Sequence, residues 1–132
     1  MKYECSYNSA LNIVETVTAG SASMTEMLEM LHCIVELCKR NESANIIVDH
    51  SKLDPDPLTT DALSNISRHV ALAKDIFKNR KCAHIVAEDF QFGLVRAWET
   101  MVELAGVTDF YTNIFKNRAD AVEWIQPGRT GF

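Results

Sequence analysis

The sequence predicts an α/β domain: a mixed, mostly parallel sheet of about five strands with four helices, in the order β-β-α-β-α-β-α-β-α. Three observations carry that reading. The short apolar runs Ala44–Asp49, Cys82–Ala87 and Phe110–Phe115 have the length and composition of strands buried in a parallel sheet. Segments of helical periodicity separate them, and a connection that long brings the chain back to run parallel. At the N-terminus, two alternating segments supply an antiparallel hairpin.

Taken in order, Lys2–Tyr7 and Leu11–Ala19 alternate between apolar and polar residues, and Asn8-Ser9-Ala10 turns the chain between them. Gly20 ends the hairpin. Ser23-Met24-Thr25-Glu26 has the spacing of a capping box, and Met24, Met27, Leu28, Leu31, Val35 and Cys38 recur at helical spacing as far as about Arg40. Asn41-Glu42-Ser43 breaks this helix, and Ala44–Asp49 follows as a buried strand. Asp54-Pro55-Asp56-Pro57 is neither helix nor inner strand, so Ser51–Leu58 reads as a connection. Thr59 or Thr60 caps a helix whose apolar face is Leu63, Ile66, Val70, Ala73 and Phe77. Cys82–Ala87 is the next strand, and Asp89 caps a helix that Gly106 stops after about Ala105. Phe110–Phe115 is the last strand, and Asn117 caps the closing helix Arg118–Ile125. Residues 1–126 form one domain, and 127–132, opening on Pro127-Gly128, form a frayed tail.

The 132 residues carry a formal net charge of −5. Met1–Asp56 holds four basic and nine acidic residues, and Pro57–Phe132 holds nine of each. No basic face of the kind that displaces counterions from nucleic acid is evident. The cluster Lys74, Lys78, Arg80 and Lys81 lies where cations complement a helix C-terminus. Cys5, Cys33, Cys38 and Cys82 are scattered without a C-x-x-C pair, which implies reduced thiols used as small buried hydrophobes. The start of the chain has no apolar signal core, and no apolar run is long enough to span a bilayer. A cytoplasmic setting is the expectation.

Few residue constellations point to chemistry. Asp49-His50-Ser51 are adjacent, whereas a catalytic triad draws its members from separate elements, and no G-x-S-x-G elbow is present. His32, His50, His69 and His84 lack metal-ligand spacing, so neither a metal nor a cofactor is expected. Phe92, Gly93 and Arg96 form the candidate ligand-binding cluster. A glycine inside a helix disfavours it by about 1 kcal/mol relative to alanine, so its presence asks for a reason. Either Gly93 lets the helix press against the sheet while Arg96 pairs with Glu99, or a ligand sits at the helix start with Arg96 meeting its anionic head group. Met24, Met27 and Met30 are either adaptable walls of an apolar site or ordinary core, with Met30 partly exposed. Trp98 and Trp124 read as core or dimer-interface anchors.

The segments Ala83-His-Ile-Val-Ala, Phe92-Gly93-Leu94-Val95-Arg96, Asn113-Ile-Phe115 and Ala121-Val-Glu-Trp124-Ile125 together resemble the SpoIIAA-like branch of the STAS superfamily. The resemblance covers nearly the whole chain in element order, and its specific motifs lie in the last third. It implies a SpoIIAA-like β-α domain akin to bacterial anti-sigma-factor antagonists and, more distantly, to CRAL-TRIO lipid carriers. One departure is informative. Those antagonists carry an Asp-Ser-Ser-Gly-like segment with a phosphorylated serine, whereas this chain has Val48-Asp49-His50-Ser51-Lys52. The expected function is therefore a non-enzymatic regulatory or protein-interaction module, a homodimer, without the phosphoswitch. The alternative is a carrier or sensor of a small apolar or lipid-like ligand with an anionic head group, and an enzyme ranks third.

Overall fold

The computed structural model describes residues 1–128. Strands β1 (Lys2–Asn8) and β2 (Ile13–Ser21) form the hairpin, followed by α1 (Met24–Arg40), β3 (Asn45–Asp54), α2 (Thr60–Leu72) and α3 (Lys74–Phe77). Then come β4 (Arg80–Ile85), α4 (Asp89–Leu104), β5 (Phe110–Phe115) and α5 (Arg118–Ile125). The hairpin turn passes through Asn12, whose φ of 53° lies in the left-handed region that asparagine tolerates, and the Asn12 side-chain oxygen accepts from the Tyr7 hydroxyl at 2.7 Å.

Among the described residues the strands make one five-stranded sheet in sequential order, β1-β2-β3-β4-β5. β1 runs antiparallel to β2, and β2, β3, β4 and β5 are mutually parallel. The parallel pairing of the three apolar strands is as expected from their helical connections. Crossovers of one hand along a sequential order place every connecting helix on the same face. Accordingly Val14, Ile46, Val48 and Cys82 of the sheet share one core with Met30 and Ile34 of α1, Ile66 and Val70 of α2, Phe77 of α3 and Val102 of α4. Helix α5, which follows β5, covers the opposite face. There Ala121, Val122 and Ile125 pack on Ile13, Ile47, Ala83 and Ile85. Period-two alternation thus sends Ile46 and Val48 to one core and Ile47 to the other, which is why this strand reads as an unbroken apolar run.

Several boundaries and faces differ from the sequence-based expectation. β3 continues through Asp49-His50-Ser51 to Asp54, because β2 offers a pairing edge that far along, to Ser21 opposite Asp54. The helix expected to run from a Thr59 or Thr60 cap to Phe77 is split at Ala73 into α2 and α3, giving five helices among the described residues rather than four. Thr59 caps α2 by accepting from the Ala62 amide at 3.1 Å, and Asn117 caps α5 by accepting from the Asp120 amide at 2.9 Å. Glu88 rather than Asp89 is the N-cap of α4. Ser23 does not cap a backbone amide. Its hydroxyl instead donates to the Glu26 carboxylate, which holds that carboxyl below its ordinary range. The buried stripe of α1 is Met27, Met30, Ile34 and Cys38, rotated from the expected one, so Met30 is buried and Met24 is 40% exposed. Cys38 and Cys82 are buried, whereas Cys5 and Cys33 are only partly so. No helix among the described residues is long and apolar enough to cross a membrane. Of the expected tail, residues 129–132 lie outside those described.

Arg80 explains one cation of the basic cluster. It is 5% exposed and donates to the carbonyls of Cys38 (2.9 Å) and Asn41 (3.0 Å), to that of Ala44, and to Ile76 (2.7 Å). It complements the C-terminal ends of two helices, α3, which leads into β4, and α1, which is distant in sequence. Its fork of donors ties α1, α3 and the start of β3 together.

Candidate functional site

Between the sheet and the layer formed by α1, α2 and α4 lies an apolar cavity of about 100 Å3. Its floor is Val48 and His50 of β3 with Cys82 and His84 of β4. These residues share a face because strand side chains alternate, and the register places Val48 opposite His84. Met27, Met30 and Ile34 of α1 and Ile66 and Val70 of α2 form two walls. Leu94, Val95 and Trp98 of α4 form a third, and Pro55 and Leu58 close the end beyond β3. Among the described residues no Lys, Arg, Asp or Glu lines it.

Three polar side chains of this wall are held in different ways. Gln91 is 5% exposed and fully engaged: its oxygen accepts from the Ala87 (2.7 Å) and Glu88 (3.1 Å) amides, and its amide nitrogen donates to the carbonyls of His50 (3.0 Å) and Leu53 (2.9 Å). It completes the N-terminal cap of α4 and staples that helix to β3. His50 Nδ1 lies 2.7 Å from Thr18 Oγ1, whose hydroxyl donates to the Asp49 carbonyl at 3.3 Å. The tautomer of His50 sets which of the two groups donates across the shorter contact. His84 stacks on His50 with ring centroids 6.0 Å apart and meets the edge of Trp98 at 5.1 Å. Its Nε2 lies 4.0 Å from Cys82 Sγ. His84 Nδ1 and Trp98 Nε1 are both buried and have no hydrogen-bond partner among the described residues.

Burial dominates the electrostatics. It pushes His50 down to about 4, against a smaller upward pull from Asp49. Burial, then the neighbouring His50, pushes His84 down to about 3. Burial also pushes the Cys82 thiol up, with Cys38 and Glu99 acting in the same direction. A nucleophilic Cys–His pair needs a thiolate beside an imidazolium, and here both charged forms are disfavoured. The cavity is therefore a neutral, apolar chamber. Among the described residues no group of three or more His, Cys, Asp or Glu side chains is placed to hold a metal ion.

The three candidates named from the sequence are brought together, but outside this chamber. Phe92 is 43% exposed on the first turns of α4, and Gly93 and Arg96 are also exposed. A Cβ on Gly93 would meet nothing within 4 Å, so the close helix–sheet contact expected there is absent. Arg96 faces Glu99 at 3.6 Å, the pairing expected for a surface role. Asp49 accepts from the Ser51 amide at 2.9 Å, as expected of a carboxylate serving the backbone. Of the tryptophans, Trp98 is a cavity wall. Trp124 packs on Phe115 at 5.6 Å on the other face, with Lys81 Nζ 5.3 Å above its ring. The residues the sequence reading missed are Gln91 and the pairing of Cys82 with His84. The i, i+2 spacing of the latter inside a buried strand was the available signal. No family model, curated protein or solved structure matches the chain.

Proposed function

We propose that this protein is a non-enzymatic regulatory module of SpoIIAA-like (STAS) type that senses or carries a small apolar molecule in the chamber between sheet and helices. The resemblance of the Phe92-Gly93-Leu94-Val95-Arg96 and Trp124-Ile125 segments to that family supports the module, and the absent Asp-Ser-Ser-Gly segment argues for a switch other than phosphorylation. The observation that carries the ligand reading is the cavity wall, whose ionisable side chains among the described residues are two histidines and Cys82, all held neutral by burial. Apolar cavities accept ring-sized guests: an engineered one of roughly 150 Å3 takes benzene. At about 100 Å3 the chamber is small beside drug-sized pockets of roughly 300–1,000 Å3. The reading accordingly favours a compact molecule over a lipid, and Arg96 has no part in it.

Methyl NMR during a titration with toluene tests the reading. The Met27 and Met30 methyl resonances are expected to move saturably while that of exposed Met24 stays in place. No saturable movement up to the solubility limit of toluene would remove the ligand function.

A second reading, a protein-interaction module acting as a homodimer, is favoured by Phe90 and Phe92, 55% and 43% exposed in one turn of α4. Sedimentation equilibrium is expected to give twice the chain mass and, for Phe90→Ser, a shift toward the single-chain mass. A wild-type monomer at every concentration sinks this reading.

A further inference from the structure

We infer that Cys82 and His84 form a two-donor site for a single copper(I) ion, held between Cys82 Sγ and His84 Nε2 on the floor of the chamber. The inference goes beyond the ligand reading above and does not rest on it: it needs the two side chains and no apolar guest.

Strand geometry builds the pair. Residues two apart on β4 project to the same side, so Cys82 and His84 both line the chamber. They are 3% and 5% exposed, and Cys82 Sγ lies 4.0 Å from His84 Nε2. A thiol is a weak hydrogen-bonding group, so this contact by itself binds the two atoms loosely. An ion bridges them well. Metal bonds of about 2.3 Å to sulfur and about 2.0 Å to imidazole nitrogen span the 4.0 Å gap at an angle of about 140°. A tetrahedral ion, with angles of about 110°, would draw the atoms in to about 3.5 Å. It would also require further ligands, and among the described residues no group of three or more His, Cys, Asp or Glu is placed to supply them. The geometry fits an ion content with two donors at a wide angle, which is the habit of copper(I).

Charge and softness select the same ion. Copper(I) displaces the Cys82 proton, which leaves to solvent, and thiolate, ion and neutral imidazole then sum to zero. That matters because, among the described residues, no Lys, Arg, Asp or Glu lines the chamber to compensate a residual charge. A divalent ion on the same two donors would leave a positive charge buried and unpaired. Thiolate and imidazole both suit copper, whereas magnesium and calcium take oxygen donors. The Met27 and Met30 thioethers in the same wall add soft sulfur rather than hard oxygen to the surroundings.

Anaerobic titration of the reduced, metal-free wild-type chain with copper(I), in competition with a chromogenic copper(I) chelator, tests this. The chain is expected to withdraw a single equivalent, and copper K-edge absorption to show one sulfur and one imidazole nitrogen bound to it. Cys82→Ser and His84→Phe are each expected to surrender the ion to the chelator, while Cys33→Ser, which removes a partly exposed thiol, keeps it. The absorption spectrum of the wild type decides the matter should a variant not fold. Failure to hold copper(I) against the chelator overturns the inference. So does an all-sulfur environment, or retention undiminished in Cys82→Ser, because the ion then sits on Cys5, Cys33 or Cys38. The toluene titration needs no copper, so either reading can fail while the other stands.

Discussion

Mild acid is a sharp probe of the two stacked imidazoles. A histidine in an unfolded chain titrates near 6.5, whereas burial holds His50 at about 4 and His84 at about 3. Between those values the unfolded chain takes up protons that the folded one refuses, so stability falls as pH drops through the window. Their contribution is intact above about pH 7 and is lost progressively from 6.5 toward 4. At pH 5 the linkage relation gives a loss of about 2 kcal/mol for each ring. Mutual repulsion between the rings is already part of the His84 shift. Together they remove a few kcal/mol from a domain whose total stability is about 5–15 kcal/mol. Glu26, held low by Ser23, works in the same direction but only in more acid solution, so the interval from 6.5 to 5 reports on the histidines. Urea denaturation followed by circular dichroism at pH 7.5, 6.5, 5.5 and 5.0 is the assay, with the midpoint as the readout. The wild-type midpoint is expected to fall steadily across the series, and His84→Phe to show about half that fall, because one titrating ring is gone. A wild-type midpoint unchanged between pH 7.5 and 5.0 would refute the reasoning, and a variant as acid-sensitive as the parent would assign the effect elsewhere.

Other expectations follow from single side chains. Arg80→Met leaves four backbone carbonyls without their donor and is expected to lower stability by about 3–5 kcal/mol in urea denaturation; a loss under 1 kcal/mol would mean water replaces the guanidinium. Gln91→Ala unpins α4 from β3, with an expected loss of about 2–4 kcal/mol and faster hydrogen exchange at the Ala87 and Glu88 amides. Gly93→Ala fills open space on an exposed helix and is expected to raise stability by about 0.5–1 kcal/mol, read as a higher melting temperature. A lower one would reveal a contact at Gly93 that the fold does not contain. Arg96→Ala removes an i, i+3 ion pair between an exposed arginine and a largely buried Glu99, and is expected to cost no more than about 1 kcal/mol in urea denaturation.

The sequence by itself determined the elements and the direction of the strands. Apolar runs such as Ala44–Asp49 and helical stripes such as Leu63, Ile66 and Val70 are local patterns, and a helix-length connection leaves parallel pairing as the outcome. Capping chemistry at Thr59 and Asn117 is equally local, and both ends fall where those residues stand. What depends on neighbours distant in sequence was decided only by the tertiary structure. β3 outruns its apolar stretch because β2 supplies a pairing partner through Ser21, which carries His50 into the sheet and under the helices. The stripe of α1 turns toward Met30 because the cavity side, not the helix alone, chooses which of its two adjacent apolar faces is buried. Gly93 suggested a contact, since glycine disfavours a helix, but α4 presents that position to solvent. The chamber has the same origin. Cys82 and His84 share a face by strand period alone, yet Trp98 arrives from another element and His50 from a neighbouring strand. Spacing along one chain does not encode such convergence, because it is set by how sheet and helix layers pack.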